Sequence, residues 1–394
     1  MSGSAFTTLS DPITLKDFYM RFLVPNKPCL FEKWITSDWP ARQKWITVDG
    51  QVALDKVLDD AGGEFLVPIY GELAVPDTHV LSVGDCSRLE FDAHPCVEIT
   101  VEDYKKYWTS FHLNSDKRLL YLKDWHYFNN NASLAFYKVP EVFRSDWMNE
   151  FWSMRTDLNN DDFRFVYVGP KGTWTPLHAD VYRSYSWSAN VVGQKRWWFF
   201  PPGEEEKLRS NDTCSLPVNV CELSLEKLNV KHFVIDQYPG QAIFVPSNWY
   251  HQVLNLVCLR ALTGLNFFEF FVILKYILLT RWSRLKVQGT IDSTLALPRG
   301  SLAELNQTID TELRNVQRNE TSRFQTIYKR LKEQWLLDSV EMSQSFDGFP
   351  KWIYAHDFVS AIDCLRNFSK HSVVQILCLV PSDSPLKSLL DLII

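Results

Sequence analysis

The chain has 394 residues, 46% hydrophobic and 22% charged, with a formal net charge of -6. That balance belongs to a globular protein with a large core. The acidic sign argues against direct, wholesale nucleic-acid binding, and the chain has no long Lys/Arg run, only short pairs such as Lys105-Lys106 and Lys329-Arg330.

The opening stretch MSGSAFTTLSDPITLKDF has neither an apolar core of signal-peptide length nor an Arg-rich transit pattern. A cytoplasmic protein is expected, with the nucleus as the alternative. The cysteines at 29, 86, 96, 214, 221, 258, 364 and 378 form no C-x-x-C pair, so they read as reduced and mostly packed. Residues 11–35 suggest an Asp-capped helix, a Pro-marked turn and a short strand over Cys29–Phe31. From 63 to 95 the pattern gives only short strands and loops. TVEDYKKYWTSF then starts a helix, with Thr100 as cap and Asp103 three residues on.

The middle of the chain is strand-like. RLLYL at 118, FRFVYVG at 163, TPLHADV at 175, SANVV at 188, KRWWFF at 195, FVID at 233 and AIFVP at 242 follow one another, with turn residues at Gly169-Pro170, Pro201-Pro202 and Pro239-Gly240 between them. Such spacing suggests an antiparallel sandwich or jelly roll. The apolar run LNFFEFFVILKYILLT from 265 is shorter than a bilayer span of about 20 residues and contains Glu269 and Lys275, so a buried helix is expected rather than a membrane segment. Leu302, Leu305, Ile309, Leu313 and Val316 mark an amphipathic helix. That helix could pack on its own barrel or pair two copies, which leaves a homo-oligomer open. Three regions are expected: a helix-and-strand region over 1–150 packing on the core, a β core over 151–264, and a helical region over 265–394.

Within the β core, His178 and Asp180 stand two apart in LHADVYRSYSW. On a strand, such residues share a face. An H-x-D pair alone is commonly an ordinary polar strand end. PGQAIFVPSNWYHQVLNL adds His251 behind its own Pro-Gly turn, and two histidines with one carboxylate would form the facial triad of a non-haem Fe(II) oxygenase. Lys195, in VVGQKRWWFFPP, is either a solvated hairpin lysine or a buried ammonium. If buried it needs an anionic partner, which the carboxylate of an organic acid cosubstrate would supply. The aromatic residues Trp174, Tyr185, Trp187, Trp197, Trp198 and Trp249 read mainly as core; Tyr182 and Tyr185 are the candidates for substrate contact.

TPLHADVYRSYSWSANVVGQKRWWFFPPGEEE, taken together with GQAIFVPSNWYHQVLNL, resembles the jumonji-C (JmjC) dioxygenases, which are cupin-like and depend on 2-oxoglutarate and Fe(II). The flanking LYLKDWHY, SDWMNEFW and FVYVGPKGTWTPLHAD resemble a branch regarded as protein lysyl hydroxylases of a translation termination factor. The likeness runs from Leu15 to Leu256, matches poorly around 72–96, and resumes loosely near Leu265. It implies a mainly β fold: a double-stranded β-helix (a jelly-roll, cupin-like core) with flanking helices and a helical C-terminal region. It also implies His178, Asp180 and His251 as Fe(II) ligands, with Lys195 pairing with the distal carboxylate of 2-oxoglutarate. Thr175 matches a hydroxyl that hydrogen-bonds the same carboxylate, and Ser188 stands where some relatives have a cosubstrate-binding asparagine. The implied reaction couples oxidative decarboxylation of 2-oxoglutarate to hydroxylation of a protein substrate.

After Leu256 the family pattern calls for another barrel strand rich in Ser, Asn and Trp, and VCLRALTGLNFFEFF lacks it. The core is therefore expected to be one strand short, as if a segment were skipped, and its activity impaired, unless 256–264 substitutes as a strand. Two other readings stay open. One is a catalytically inactive JmjC-fold interaction protein; the other is a small-molecule cupin enzyme using a different metal.

Overall fold

The computed structural model describes residues 6–60, 80–86, 94, 96–113, 116, 118–130, 135–157, 162–210, 215–257, 267–286, 297–334, 350–369 and 385–393. The chain divides into two compact units, residues 1–144 with 160–264 and residues 145–159 with 265–394.

The first unit carries the strands β1 (Thr7–Leu9), β2 (Cys29–Phe31), β3 (Val80–Asp85), β4 (Cys96–Thr100), β5 (Leu120–Trp125) and β6 (Val166–Val168). It continues with β7 (Trp174–His178), β8 (Ser186–Ala189), β9 (Gln194–Phe200), β10 (Phe233–Gln237), β11 (Ala242–Val245) and β12 (Tyr250–Val257). They form three four-stranded sheets with the orders β1-β2-β11-β8, β10-β9-β12-β7 and β4-β3-β5-β6. Every pairing is antiparallel except β1 with β2. Among the described residues each sheet is open, and none closes into a barrel.

The first two sheets meet through one apolar cluster. Leu30, Ile243 and Val245 come from one sheet, and Trp197, Phe199 and Val253 from the other. Period-two alternation makes this possible: in QKRWWFF, Lys195, Trp197 and Phe199 are fully buried, while Arg196 and Trp198 are half-buried on the opposite face. Two apolar sheet faces covering each other form a sandwich. The back of β12 is tied down by buried Gln252, which accepts from Val220 N (2.7 Å) and donates to Asn219 Oδ1 (2.7 Å).

Local signals resolve with two adjustments. Thr100 caps the helix Val101–His112, accepting from Asp103 N at 3.0 Å. At the N-terminus, however, Thr14 rather than Asp11 is the cap: its Oγ1 accepts from Asp17 N at 3.1 Å. The Pro12 that follows Asp11 favours extended backbone at the residue before it, which postpones the helix. The strand expected from 118 starts at Leu120. Val257 still pairs with Gln194; the suggested substitute strand beyond it, at 258–264, lies outside the described residues.

The second unit is helical, with Trp147–Trp152, Phe267–Lys286, Leu302–Gln334, Lys351–Ser369 and Pro385–Ile393. The expected buried helix spans Phe267–Lys286 and buries Val272, Ile273, Ile277 and Leu278 completely. Lys275 is buried with them and donates to Asp310 Oδ1 (2.6 Å) and Asn306 Oδ1 (2.5 Å). In the helix Leu302–Gln334, Leu305, Ile309, Leu313 and Val316 are core and Leu302 is half-buried. Buried Arg281 joins Glu150 (2.6 Å) to Asp357 (3.2 Å). No described helix is long and apolar enough to cross a membrane. Among the described residues Cys29 and Cys86 are buried free thiols, and Cys221 and Cys364 are exposed free thiols.

Candidate metal centre

β7 and β12 run antiparallel with His178 directly across from His251, and the two imidazole centroids lie 4.3 Å apart. β7 ends at His178, so Asp180 is not on the strand. It leads a single turn, Val181–Arg183, from an extended backbone (φ -58°, ψ 154°). Asp180 nevertheless faces the two histidines, since its carboxylate approaches both imidazoles. One ligand-type atom from each of His178, Asp180 and His251 lies within 4.8 Å of the others. Each Nε2 is 3.9 Å from the same carboxylate oxygen, Asp180 Oδ1. His251 is fully buried and Asp180 nearly so; the His178 side chain is 30% exposed, but its Nε2 is buried with the other ligand atoms.

Hydrogen bonds fix the form of each group. His178 Nδ1 lies 2.8 Å from Pro176 O, and His251 Nδ1 lies 3.1 Å from Trp249 O. A carbonyl oxygen can only accept, so both Nδ1 atoms carry a proton, which in a neutral imidazole leaves the Nε2 lone pair for a metal. Asp180 Oδ2 accepts from Ser186 Oγ at 2.5 Å, while buried Asp180 Oδ1 has no hydrogen-bond partner. A gap of 3.9 Å to each imidazole is too long for a hydrogen bond. A carboxylate oxygen left this way is costly unless a cation joins it. Two neutral imidazoles and one carboxylate, backed by second-layer hydrogen bonds, fit a divalent transition metal and leave three octahedral positions for other ligands. The residues present fit Fe(II).

The turn after Asp180 is strained. Tyr182 (φ 53°) and Arg183 (φ 56°) are both in the left-handed region without being glycine. Each such residue costs about 1–2 kcal/mol. The turn is closed by Arg183 N to Asp180 O (2.9 Å) and Ser184 N to Val181 O (3.0 Å).

Lys195 lies on β9, fully buried, across from Gln237 of β10 and Asn255 of β12. It belongs to the same face as Trp197 and Phe199, whose rings each lie 5.7 Å from the His251 ring. Thr175 is buried on β7, and its Oγ1 accepts from Val253 N at 3.2 Å. Ser188 is buried on β8, and its Oγ has no hydrogen-bond partner. The structure adds polar residues that the sequence reading missed. Asn255, fully buried, donates to Thr173 Oγ1 (2.9 Å), and its Oδ1 has no hydrogen-bond partner. Fully buried Gln237 accepts from Trp197 Nε1 (2.9 Å) and donates to Ser188 O (2.8 Å). The signal for Asn255 was the i, i+2, i+4 series His251, Val253, Asn255. Of the aromatic set, Trp197 and Trp249 are core, and Trp174, Trp187 and Trp198 are half-buried. Tyr185 is exposed and stacks on Phe244.

The family model for a cupin-like domain matches residues 15–272. The chain is 39% identical over 269 residues to the 2-oxoglutarate and iron-dependent oxygenase JMJD4 of Mus musculus, covering 65% of this chain and 58% of that protein. The Homo sapiens protein of the same name is 38% identical over 263 residues, 64% of this chain and 58% of its own length. The arginine-specific demethylase JMJ20 of Arabidopsis thaliana is 35% identical over 257 residues, 61% of this chain and 52% of its own length. The chain thus spans little more than half the length of these curated relatives.

Proposed function

Because the chain belongs to the cupin-like domain family, and within it to the jumonji-C oxygenases, we propose that it is a 2-oxoglutarate- and Fe(II)-dependent protein hydroxylase. The observation that carries this reading is the triad itself: two Nε2 lone pairs and the hydrogen-bond-free Asp180 Oδ1 converging on one point. When bound, Fe(II) with 2-oxoglutarate and O2 supplies oxidising power that yields succinate, CO2 and a hydroxylated product.

The chain's own residues do the rest. His178, Asp180 and His251 hold the metal, and the backbone bonds to both Nδ1 atoms keep the imidazoles oriented. Lys195 meets the distal carboxylate of 2-oxoglutarate. Asn255, its cross-strand neighbour, lies four residues from His251 along β12, about 14 Å of strand at 3.4 Å per residue. Thr175 Oγ1 already accepts from Val253 N and so has its own proton to donate, and Ser188 Oγ adds a second hydroxyl. Trp197 and Phe199 keep water from the His251 side. The two sheets that share the Trp197–Ile243 cluster act as the facing walls of a double-stranded β-helix.

For the substrate we propose a lysine side chain of a cytoplasmic protein such as a translation termination factor, a reading supported by the flanking motifs of the lysyl hydroxylase branch. The arginine-specific demethylase among the relatives supplies the second substrate class to test. The test is anaerobic titration of the Fe(II)-loaded chain with 2-oxoglutarate, then succinate release in air with lysine-containing and methylarginine-containing peptides. Iron-dependent binding that His178→Ala abolishes is the expected result. No iron-dependent binding, or equal binding by His178→Ala, refutes the proposal; a methylarginine-only response refutes the lysine assignment alone.

A further inference from the structure

The strained turn that begins at Asp180 does not stand by itself. Arg183 Nη2 donates to Tyr250 Oη at 2.9 Å, and the guanidinium carbon lies 4.7 Å above the Tyr250 ring. Ser247 Oγ donates to the Arg183 carbonyl. Tyr250 immediately precedes His251, and Ser247 sits in the turn that leads into the same strand. That second turn is itself fixed: Asn26 Nδ2 donates to Ser247 O (2.9 Å), and Trp249 Nε1 donates to Asn26 O (3.0 Å). On its far side, the turn returns to the metal cluster through Ser186 Oγ and Asp180 Oδ2.

We infer that Arg183 is a positioning residue for the metal triad, clasping the turn that presents Asp180 to the strand that presents His251. The inference rests on the metal reading proposed above. Left-handed backbone at two adjacent side-chain-bearing residues persists only where surrounding contacts over-determine it. Here those contacts are the hydrogen bond and the cation–π contact to Tyr250, with Ser247 holding the carbonyl. Without the clasp, Tyr182 and Arg183 relax toward right-handed backbone. That rotation swings the chain leaving Asp180, and the carboxylate turns away from the two Nε2 atoms. Arg183 is exposed and its guanidinium bonds Tyr250 rather than a ligand side chain, so its effect on the metal passes through Asp180.

The test uses the full chain and its Arg183→Ala, Arg183→Lys and Tyr250→Phe variants. Mn(II) affinity is read by electron paramagnetic resonance, the Co(II) ligand field by visible absorption, and the metal-free fold by circular dichroism melting. Arg183→Ala should weaken Mn(II) binding at least tenfold and change the Co(II) band, with the metal-free melting point shifted by no more than a few degrees. Arg183→Lys, which can still donate to the hydroxyl and sit over the ring, should recover most of the affinity. Tyr250→Phe keeps the ring, loses the acceptor, and should weaken binding at least threefold; it decides the matter alone if Arg183→Ala does not fold. Wild-type Mn(II) affinity and an unchanged Co(II) band in Tyr250→Phe and in any folded Arg183→Ala overturn the clasp while leaving the metal centre standing. No Mn(II) binding by the unsubstituted chain overturns both.

Discussion

Replacing Lys195 with methionine removes one ammonium from the fully buried face of β9 while keeping most of the volume of its stem. In the proposed complex that ammonium makes a charge-assisted hydrogen bond to the distal carboxylate of 2-oxoglutarate. Such a bond contributes about 1.5–3 kcal/mol, and leaving the partner charge buried and unmatched raises the loss to about 3–5 kcal/mol. Taking about 3 kcal/mol, and about 1.4 kcal/mol for each factor of ten, 2-oxoglutarate affinity should fall by about 100-fold. Metal affinity should stay within about twofold of the original, because Lys195 pairs four residues along β12 from His251 and is absent from the triad. Calorimetric titration of 2-oxoglutarate into the anaerobic Mn(II)-loaded chain, beside Mn(II) titration of the same preparation, separates the two affinities. A change in 2-oxoglutarate affinity below about threefold, or a parallel loss of Mn(II) affinity, refutes the role given to this lysine.

Thr100→Ala removes the acceptor for Asp103 N and should cost about 1 kcal/mol, read as a lower urea midpoint with unchanged slope; an unchanged midpoint refutes the cap. Acid should weaken the helical unit in a defined direction. The Arg155 hydrogen bond holds the Asp157 carboxyl below its ordinary value. Burial pushes Asp357 up, but the His356 hydrogen bond and the Arg281 charge outweigh it, and the net shift is also downward. A depressed carboxyl contributes stability that is complete above the unfolded value of about 4 and is lost as pH falls through the lower folded value. Melting temperature should therefore hold between neutral pH and about 5, fall below about 4, and fall less steeply in Asp157→Asn; identical acid profiles for the two chains count against the Arg155 pairing.

Much of the β core was legible because alternation is a strong signal where one face is dry. The run KRWWFF from 195 is β9, whose burial then places Lys195, Trp197 and Phe199 inward, and the short run Cys29–Phe31 is β2. His178, Asp180 and His251 were legible as a set, since H-x-D followed by a histidine behind a Pro-Gly turn has few other uses. The turn after Asp180 was not. Left-handed backbone is normally announced by glycine or asparagine, and here tyrosine and arginine adopt it, with Arg183 bound to Ser247 and Tyr250 more than sixty residues away in sequence. Gln237 and Asn255 escaped notice for a related reason. A polar residue in a strand reads as solvent-facing until the opposing sheet is in place, and only then does its burial appear.

The two Nδ1 contacts bear on how this centre tolerates sequence change. In many metal sites the orienting acceptor is an aspartate or glutamate, which one codon change deletes. Here both acceptors are main-chain carbonyls, at Pro176 and Trp249, each two residues before its histidine. Any amino acid placed at 176 or 249 still carries a carbonyl oxygen, so no point mutation at those positions erases the acceptor. The tautomer of each ligand is thereby set by the course of the main chain rather than by a neighbouring side chain.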